Sequence, residues 1–309
     1  MKQVVIGLVA GMNMAACAVA QPLTYVVVDT GQDRCFGVDR EIAYPRPGDV
    51  FDGQDAQYQG RSPAYRDNGD GTVSDLNTGL MWQKTPDLEN RVTFVQAAAG
   101  AQPFRLAGYA DWRLPTIKEL YSLIDFRGYC VRTAQRSRAY IDTAVFAFVW
   151  GDVRRGERLI DAQYWSATEY CGKTMQGNPT VFGVNFADGR IKGYPKVSPR
   201  GEARHFVRYV RGNPAYGVNH FVDNGDGTVT DHATGLMWQK EDSGQAMDWQ
   251  AALAYAAHLG LAGYTDWRLP NAKELQSIVD YTRAPDAADA AHRGAAIDPV
   301  FSVAATESW

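Results

Sequence analysis

The sequence has few of the residues that usually carry enzymatic chemistry. It contains five histidines in 309 residues, at positions 205, 220, 232, 258 and 292, and their spacing matches no metal-ligand pattern. It has no GxSxG, no HExxH and no glycine-rich phosphate loop. These absences argue against the common hydrolase, metalloprotease and nucleotide-binding classes. We therefore predict a protein that is not an enzyme, with no catalytic residues and no cofactor.

Long apolar runs are also scarce, and the one clear example lies at the N-terminus. Lys2 precedes an apolar stretch, and Ala18-Val19-Ala20 forms a small-residue cleavage motif. We therefore predict a signal peptide at residues 1–20, and a periplasmic, secreted or cell-surface protein. The alternative is a lipoprotein signal ending at Cys17, which would tether the chain to a membrane.

Two long blocks of the sequence occur twice. DNGDGTVSDLNTGLMWQK (67–84) returns as DNGDGTVTDHATGLMWQK (223–240), with 15 of 18 positions identical. LAGYADWRLPTIKEL (106–120) returns as LAGYTDWRLPNAKEL (261–275), with 12 of 15 identical. The order is the same and the offsets are 156 and 155 residues, which indicates two homologous domains in tandem.

The domain boundaries follow from these blocks. We predict an N-terminal lead-in at 21–65, a first domain at 66–212, a linker at 213–219 and a second domain at 220–309. The first domain continues through YWSAT, VNFADGRIKGY and RHFVRYVRG, which have no counterparts after AIDPVF in the second. We therefore expect the second domain to be truncated, unstable and readily digested by protease. Five apolar residues would lack a facing layer: Leu236, Trp238, Trp267, Leu275 and Ile278.

The local signals predict an α+β fold with short antiparallel strands and two helices per repeat. Asn-Gly and Asp-Gly dipeptides favour a hairpin over 65–73 and another around Asp188-Gly189. Thr116-x-x-Glu119 and Asn271-x-x-Glu274 are capping boxes that begin helices. In the lead-in, one strand is predicted at 25–28.

Several of these motifs, DNGDGTV…TGLMWQK, GYxDWRLPxxKEL, YWSAT and VNFADGRIKGY, resemble the Lcl C-terminal domain family, a module named after a bacterial collagen-like adhesin. The resemblance covers 66–212 completely and 220–309 in part. It implies a fold related to C-type lectins and binding of sulfated polysaccharides. It implies no catalytic residue.

The aspartates of the repeated block raise the question of a calcium site. An EF-hand loop needs ligands at positions one, three and five before its glycine, but position one is Arg66 in one copy and Val222 in the other. Asp67, Asp70 and Asp75 could still meet around calcium through a different loop. The alternative is a tight hairpin in which these side chains accept local N–H groups. For Asp111-Trp112-Arg113 and its copy, we predict a structural role.

Positive charge is concentrated in one part of an otherwise acidic chain. Residues 127–211 carry 15 Lys and Arg against 7 Asp and Glu. Such a field attracts polyanions, which for an exported protein means a polysaccharide or glycosaminoglycan-like ligand and not nucleic acid. The alternative is that these charges neutralise the acidic second domain across an interface. We predict a polyanion-binding strip, defined as Arg190, Lys192, Lys196, Arg200, Arg204, Arg208 and Arg211.

The cysteines left after signal cleavage are Cys35, Cys130 and Cys171. Export would place them in an oxidising compartment, and because three is odd, at least one is unpaired. We predict a Cys130–Cys171 disulfide, since both lie within one repeat, with three free thiols as the alternative.

The function predicted from the sequence is an exported, non-catalytic, adhesin-like binding module that recognises polysaccharide or another anionic surface ligand. One alternative is a structural envelope protein. Another is an oxidase similar to formylglycine-generating enzymes, although the separation of Cys130 and Cys171 does not match the closely spaced cysteines of those enzymes.

Overall fold

The computed structural model describes residues 23–174, 177–198 and 201–304. The predicted signal peptide, Cys17 and Arg200 lie outside these ranges. Helices and short strands are mixed along the chain, and all strand pairing between named strands is antiparallel. The strands are β1 (Cys35–Phe36), β2 (Glu41–Ile42), β3 (Tyr65–Asp67), β4 (Thr72–Asp75), β5 (Leu80–Gln83), β6 (Gln163–Glu169), β7 (Thr180–Asn185), β8 (Arg190–Pro195), β9 (Val197–Ser198), β10 (Gly201–Glu202), β11 (Val210–Gly212), β12 (Phe221–Asp223), β13 (Thr228–Asp231) and β14 (Leu236–Gln239).

Four α-helices accompany these strands. They are α1 (Phe94–Ala101), α2 (Ile117–Ser122), α3 (Trp249–His258) and α4 (Ala272–Ser277). The predicted capping boxes are confirmed, because Thr116 caps α2 with Glu119 and Asn271 caps α4 with Glu274. Both helices therefore begin where the sequence predicts.

The sheets of the two repeats differ in their number of strands. In repeat one, four strands pair in the order β11-β5-β4-β3, and β6, β7 and β8 form a second sheet. In repeat two, β12, β13 and β14 form a sheet of three. The partner of β5 on its outer side is β11, and no strand of the described residues takes that place beside β14.

Both predicted hairpins are confirmed. In the first, Tyr65 pairs with Asp75, and Gly69 and Gly71 adopt φ values of 77° and 87° that only glycine adopts without strain. In the second, Asn185 pairs with Arg190 across the Asp188-Gly189 turn. The turn chemistry in the sequence therefore fixes these registers.

Repeat one has two hydrophobic clusters. Trp82, Leu120, Tyr164 and Phe186 are fully buried in one cluster between the two sheets and α2. A second cluster lies under α1, where Trp112, Trp165, Val181 and Tyr209 pack together.

The lead-in differs from its prediction and packs on repeat two. Residues 25–28 form only an isolated bridge, between Val28 and Arg61, and the N–H groups of Thr24 and Tyr25 both donate to the Ala233 carbonyl. Further along, the Phe51 ring lies 5.6 Å from the ring of Trp249 at the start of α3. The Arg268 guanidinium lies 5.3 Å from the Tyr58 ring. The lead-in is therefore a packed part of the fold.

The predicted disulfide is absent from the structure. Cys130 and Cys171 are free thiols at partly exposed positions, and Cys35 is a buried free thiol. The Cys130 Sγ lies 3.7 Å from the neighbouring Val131 carbonyl. Sequence proximity within one repeat did not predict spatial pairing. In the described part of the chain, no helix has the length and apolarity needed to cross a membrane.

Candidate functional site

The residues of the predicted polyanion-binding strip differ in their exposure and in whether a carboxylate pairs with them. Arg208 is fully buried, and its guanidinium donates to three backbone carbonyls, those of Gln83 (2.5 Å), Lys84 (2.7 Å) and Ala147 (2.7 Å). It also lies over the Phe146 ring at 5.0 Å. Arg208 therefore holds three segments of repeat one together and presents no charge to a ligand.

Three other members of the strip are neutralised by nearby carboxylates. Lys192 pairs with Asp188, Lys196 pairs with Glu169 at 2.7 Å, and Arg211 pairs with Asp111 at 2.7 Å. All of these partners lie within repeat one. The ion pairs of the strip thus do not run across an interface to the acidic second repeat in the described residues.

Arg190 and Arg204 are the exposed members of the strip that form no ion pair within the described residues. Arg204 makes one long contact, 3.4 Å to Oε1 of Gln96 on α1. Arg200 lies outside the described ranges, so its position relative to the others is not defined. In the described part of the chain, the strip therefore contributes two exposed cations without an ion pair.

The three aspartates considered for calcium are engaged in local hydrogen bonds. Asp67 binds the Lys84 ammonium at 2.5 Å, and this contact lowers the pKa of its carboxyl group. Asp70 Oδ1 accepts from the N–H and the hydroxyl of Thr72. Asp75 is buried, which raises its pKa, and its Oδ1 accepts from two turn N–H groups. Within the described ranges, no three His, Cys, Asp or Glu side chains come together as a metal-ion site.

A cleft of about 490 Å³ in repeat one was not predicted from the sequence. Trp150 is partly exposed and provides aromatic surface in it, whereas the lining residue Phe206 is almost fully buried. At its edge, Arg154 and Arg155 follow each other on one 3-10 turn, with 89% and 74% of their side chains exposed. The complete lining is Leu88, Glu89, Arg91, Val149, Trp150, Gly151, Asp152, Arg154, Arg155, Glu157 and Phe206.

Charges in the cleft are arranged so that two arginines stay available. Arg91 forms a bidentate pair with Glu157 and lies 4.6 Å from the Phe206 ring, so both of these charges are committed to structure. Arg154 and Arg155 share the single carboxylate of Asp152, at 3.3 and 3.6 Å. Exposed ion pairs of this kind are weak, so the two guanidinium groups remain able to bind an anion.

A second unpredicted feature is a reciprocal pair of lysines between the repeats. Lys118 on α2 donates to the Ser277 carbonyl at the end of α4, at 2.6 Å. Lys273 on α4 donates to the Ser122 carbonyl at the end of α2, at 3.0 Å. These four residues occupy matching positions in the two copies, so the α2–α4 contact has approximate two-fold symmetry.

Burial controls the titration of both lysines. It lowers the pKa of Lys118 to about 8 and that of Lys273 to about 8. The sequence carried one sign of this role, since the lysine of the KEL motif is present in both copies. Its partners are 151 and 159 residues away in sequence, so the contact itself was not predictable from the motif.

Comparison with known proteins gives one match. The model of the family described as the Lcl C-terminal domain matches residues 71–211 and 227–307, which together are more than half of the chain. No curated protein and no solved structure gives a significant match.

Proposed function

Since this chain belongs to the Lcl C-terminal domain family, we propose that it is an exported, non-catalytic binding module that recognises an anionic polysaccharide or a similar anionic surface ligand. The observation that carries this proposal is the cleft lined by Trp150, with Arg154 and Arg155 at its edge. An aromatic ring offers a flat apolar face to a sugar ring, and guanidinium groups bind carboxylate or sulfate groups in two-point fashion.

The charge of the surrounding surface supports the same ligand class. Exposed arginines of repeat one that lie outside the cleft include Arg132, Arg136, Arg190 and Arg204. Separate cations of this kind favour a long polyanion that touches several points weakly over a small ligand bound at one point. The adhesin-like character and the relation to C-type lectins belong to this proposal as well.

Heparin affinity chromatography of the full chain tests the proposal. Replacing both cleft arginines, Arg154→Glu with Arg155→Glu, should move elution to clearly lower salt, because exposed charges act through a field that salt screens. Trp150→Ala should weaken retention on uncharged and charged glycans alike. The matched control is Arg40→Glu with Arg46→Glu, two exposed arginines of the lead-in whose replacement gives the same total charge difference. Equal elution of the cleft variant and the control would contradict the proposal.

A further inference from the structure

In repeat one, a single strand fills a slot between two backbone edges. There, β11 lies between β5 and Arg113. On one side the Gln83 N–H donates to the Tyr209 carbonyl at 3.0 Å. On the other side, Arg113 and Val210 exchange two hydrogen bonds, at 2.9 and 3.0 Å. A single extended strand therefore satisfies polar backbone groups on both walls of the slot.

The walls of this slot are built in the same way in repeat two. Trp267 Nε1 donates to Leu261 O at 3.3 Å, as Trp112 Nε1 donates to Leu106 O at 3.4 Å. The Arg268–Glu274 pair corresponds to the Arg113–Glu119 pair. Yet among the described residues, no hydrogen bond satisfies the backbone N–H of Gln239 or the backbone groups of Arg268.

Repeat two also has counterparts of the groups that bind Arg211 in repeat one. Arg211 pairs with Asp111 and lies 3.7 Å from the Tyr109 ring. The counterparts of these two partners are Asp266 and Tyr264, both exposed, and Asp266 forms no ion pair within the described residues.

Repeat two likewise has counterparts of the groups that bind Arg208 in repeat one. In repeat one, Arg208 binds the carbonyls of Gln83 and Lys84 and lies over Phe146. The counterparts are Gln239, Lys240 and Phe301. The Phe301 ring lies 5.1 Å from the Phe221 ring, as the Phe146 ring lies 5.1 Å from the Tyr65 ring. The Lys240 carbonyl accepts the Ser302 N–H at 3.0 Å, as the Lys84 carbonyl accepts the Ala147 N–H at 3.2 Å, so the ring and this carbonyl keep the same local contacts in repeat two.

From these observations we propose that repeat two binds an extended peptide segment with an Arg-x-x-Arg core, added as a strand between β14 and Arg268. The first arginine binds the carbonyls of Gln239 and Lys240 over Phe301. The second binds Asp266 and stacks on Tyr264. Backbone hydrogen bonds to β14 provide affinity, and the two arginine positions provide specificity. The proposal does not depend on the polysaccharide function.

Fluorescence anisotropy with a labelled peptide HFVRYVRGN, which copies residues 205–213, tests this interaction on the full chain. We expect saturable binding that falls at least tenfold when the second arginine of the peptide is changed to glutamate. Protein carrying Asp266→Arg should recover binding of that glutamate peptide and lose the original one. Asp39→Arg, an exposed change of the same charge in the lead-in, is the matched control and should leave both affinities unchanged.

The backbone contribution has its own test. In β5 the Gln83 N–H faces β11, so alternation places the N–H groups of Met237 and Gln239 on the open side of β14. Met237→Pro removes one of these donors without removing a bond to β13, and it should abolish peptide binding. Unchanged binding by this variant, or no binding by the original chain, would overturn the proposal. A dimer that excludes the peptide and that Met237→Pro converts to monomer would identify a second copy as the occupant, and would equally overturn it.

Discussion

The two repeats share their motifs but bury them to different degrees. Leu120 of α2 is fully buried, whereas its counterpart Leu275 of α4 is 48% exposed. Trp82 of β5 is fully buried as well, and its counterpart Trp238 of β14 is only partly covered. The local structures are nevertheless the same, with matching hairpins, capping boxes and Arg–Glu pairs. Turn and cap chemistry therefore builds each element, while burial depends on what lies opposite it.

The residues that pack against the first helix of each repeat come from different parts of the chain. In repeat one, Phe94 at the start of α1 packs on Trp165 of β6, with ring centroids 5.8 Å apart. In repeat two, the matching Trp249 packs on Phe51 of the lead-in at 5.6 Å. A segment from the other end of the chain thus supplies one of the contacts that β6 supplies in repeat one. The expectation that residues 220–309 are easily digested stays a prediction. The packing of the lead-in on repeat two argues against it.

Removing Arg208, whose hydrogen bonds lie within repeat one, should cause the largest loss of stability. The change Arg208→Leu leaves the partly buried carbonyls of Gln83 and Ala147 without donors and leaves that of Lys84 with the Ala147 N–H alone, so we expect a loss of about 3 kcal/mol in the free energy of unfolding. Chemical denaturation measures this loss. Arg204→Leu is the matched control on the same segment, and because Arg204 is exposed its effect should stay within about 0.5 kcal/mol. Similar losses for the two variants would contradict the assigned burial.

Removal of the Phe51 ring should destabilise repeat two and leave repeat one unchanged. We expect Phe51→Ala to cost about 2 kcal/mol, less than a fully buried Phe, because the site is partly exposed. Residue 51 has φ of 66°, and alanine keeps the strain of that conformation, so the substitution isolates the ring. Limited proteolysis should show faster cleavage within 220–304 only. Val50→Ala, an exposed neighbour, should have no effect.

The reciprocal lysines should make the contact between the repeats sensitive to pH. Below pH 8, native and unfolded chains both keep the proton on Lys273. Between pH 8 and the usual lysine value of 10.5, the native state loses this proton first, so the free energy of unfolding rises with pH. The rise is at most about 1.4 kcal/mol per pH unit and is moderated by the protonated amine's hydrogen bonds to the Asp29 and Ser122 carbonyls.

The measurement is the difference in unfolding free energy between the original chain and Lys273→Met from pH 7 to pH 9.5. This difference should change in favour of the original chain above pH 8. Lys173→Met removes an exposed lysine and should give a constant difference. A constant difference for Lys273→Met as well would show that its native pKa is not lowered.

The smallest loss of stability should follow from replacing the aspartates at matching positions of the two hairpins. Asp70 and its counterpart Asp226 each accept from the N–H and the hydroxyl of a threonine two residues later. Asp70→Ala and Asp226→Ala should therefore lower stability slightly and by equal amounts. Added calcium should leave the melting temperature of the original chain unchanged, which differential scanning fluorimetry measures. A calcium-dependent increase lost in either variant would restore the metal interpretation.

The features that were predictable from the sequence are the ones fixed within a few residues. The Asn-Gly and Asp-Gly turns and the Thr116 and Asn271 caps follow from local backbone chemistry. Whether a given charged side chain is exposed or buried was not predictable in this way. Arg204 and Arg208 are four residues apart, yet one is exposed and the other fully buried, because only Arg208 meets three carbonyls from distant segments.

The same limit explains the remaining differences. The Cys130–Cys171 prediction relied on proximity in sequence, whereas a disulfide requires proximity in space. The cleft at Trp150 and the lysine contacts between α2 and α4 join segments that no motif connects. The repetition of the KEL lysine in both copies was a visible sign of a shared role, but it did not identify the partner.

Amide hydrogen exchange at two matching positions tests most directly the claim that equivalent strands differ in what pairs with them. The Gln83 N–H donates to Tyr209 across the β5–β11 pair, and the Gln239 N–H faces the open side of β14. Exchange of the Gln83 amide should require opening of the repeat-one sheet and be slow, whereas the Gln239 amide should exchange orders of magnitude faster. Equal, strong protection of both amides in the unliganded chain would contradict an open slot in repeat two.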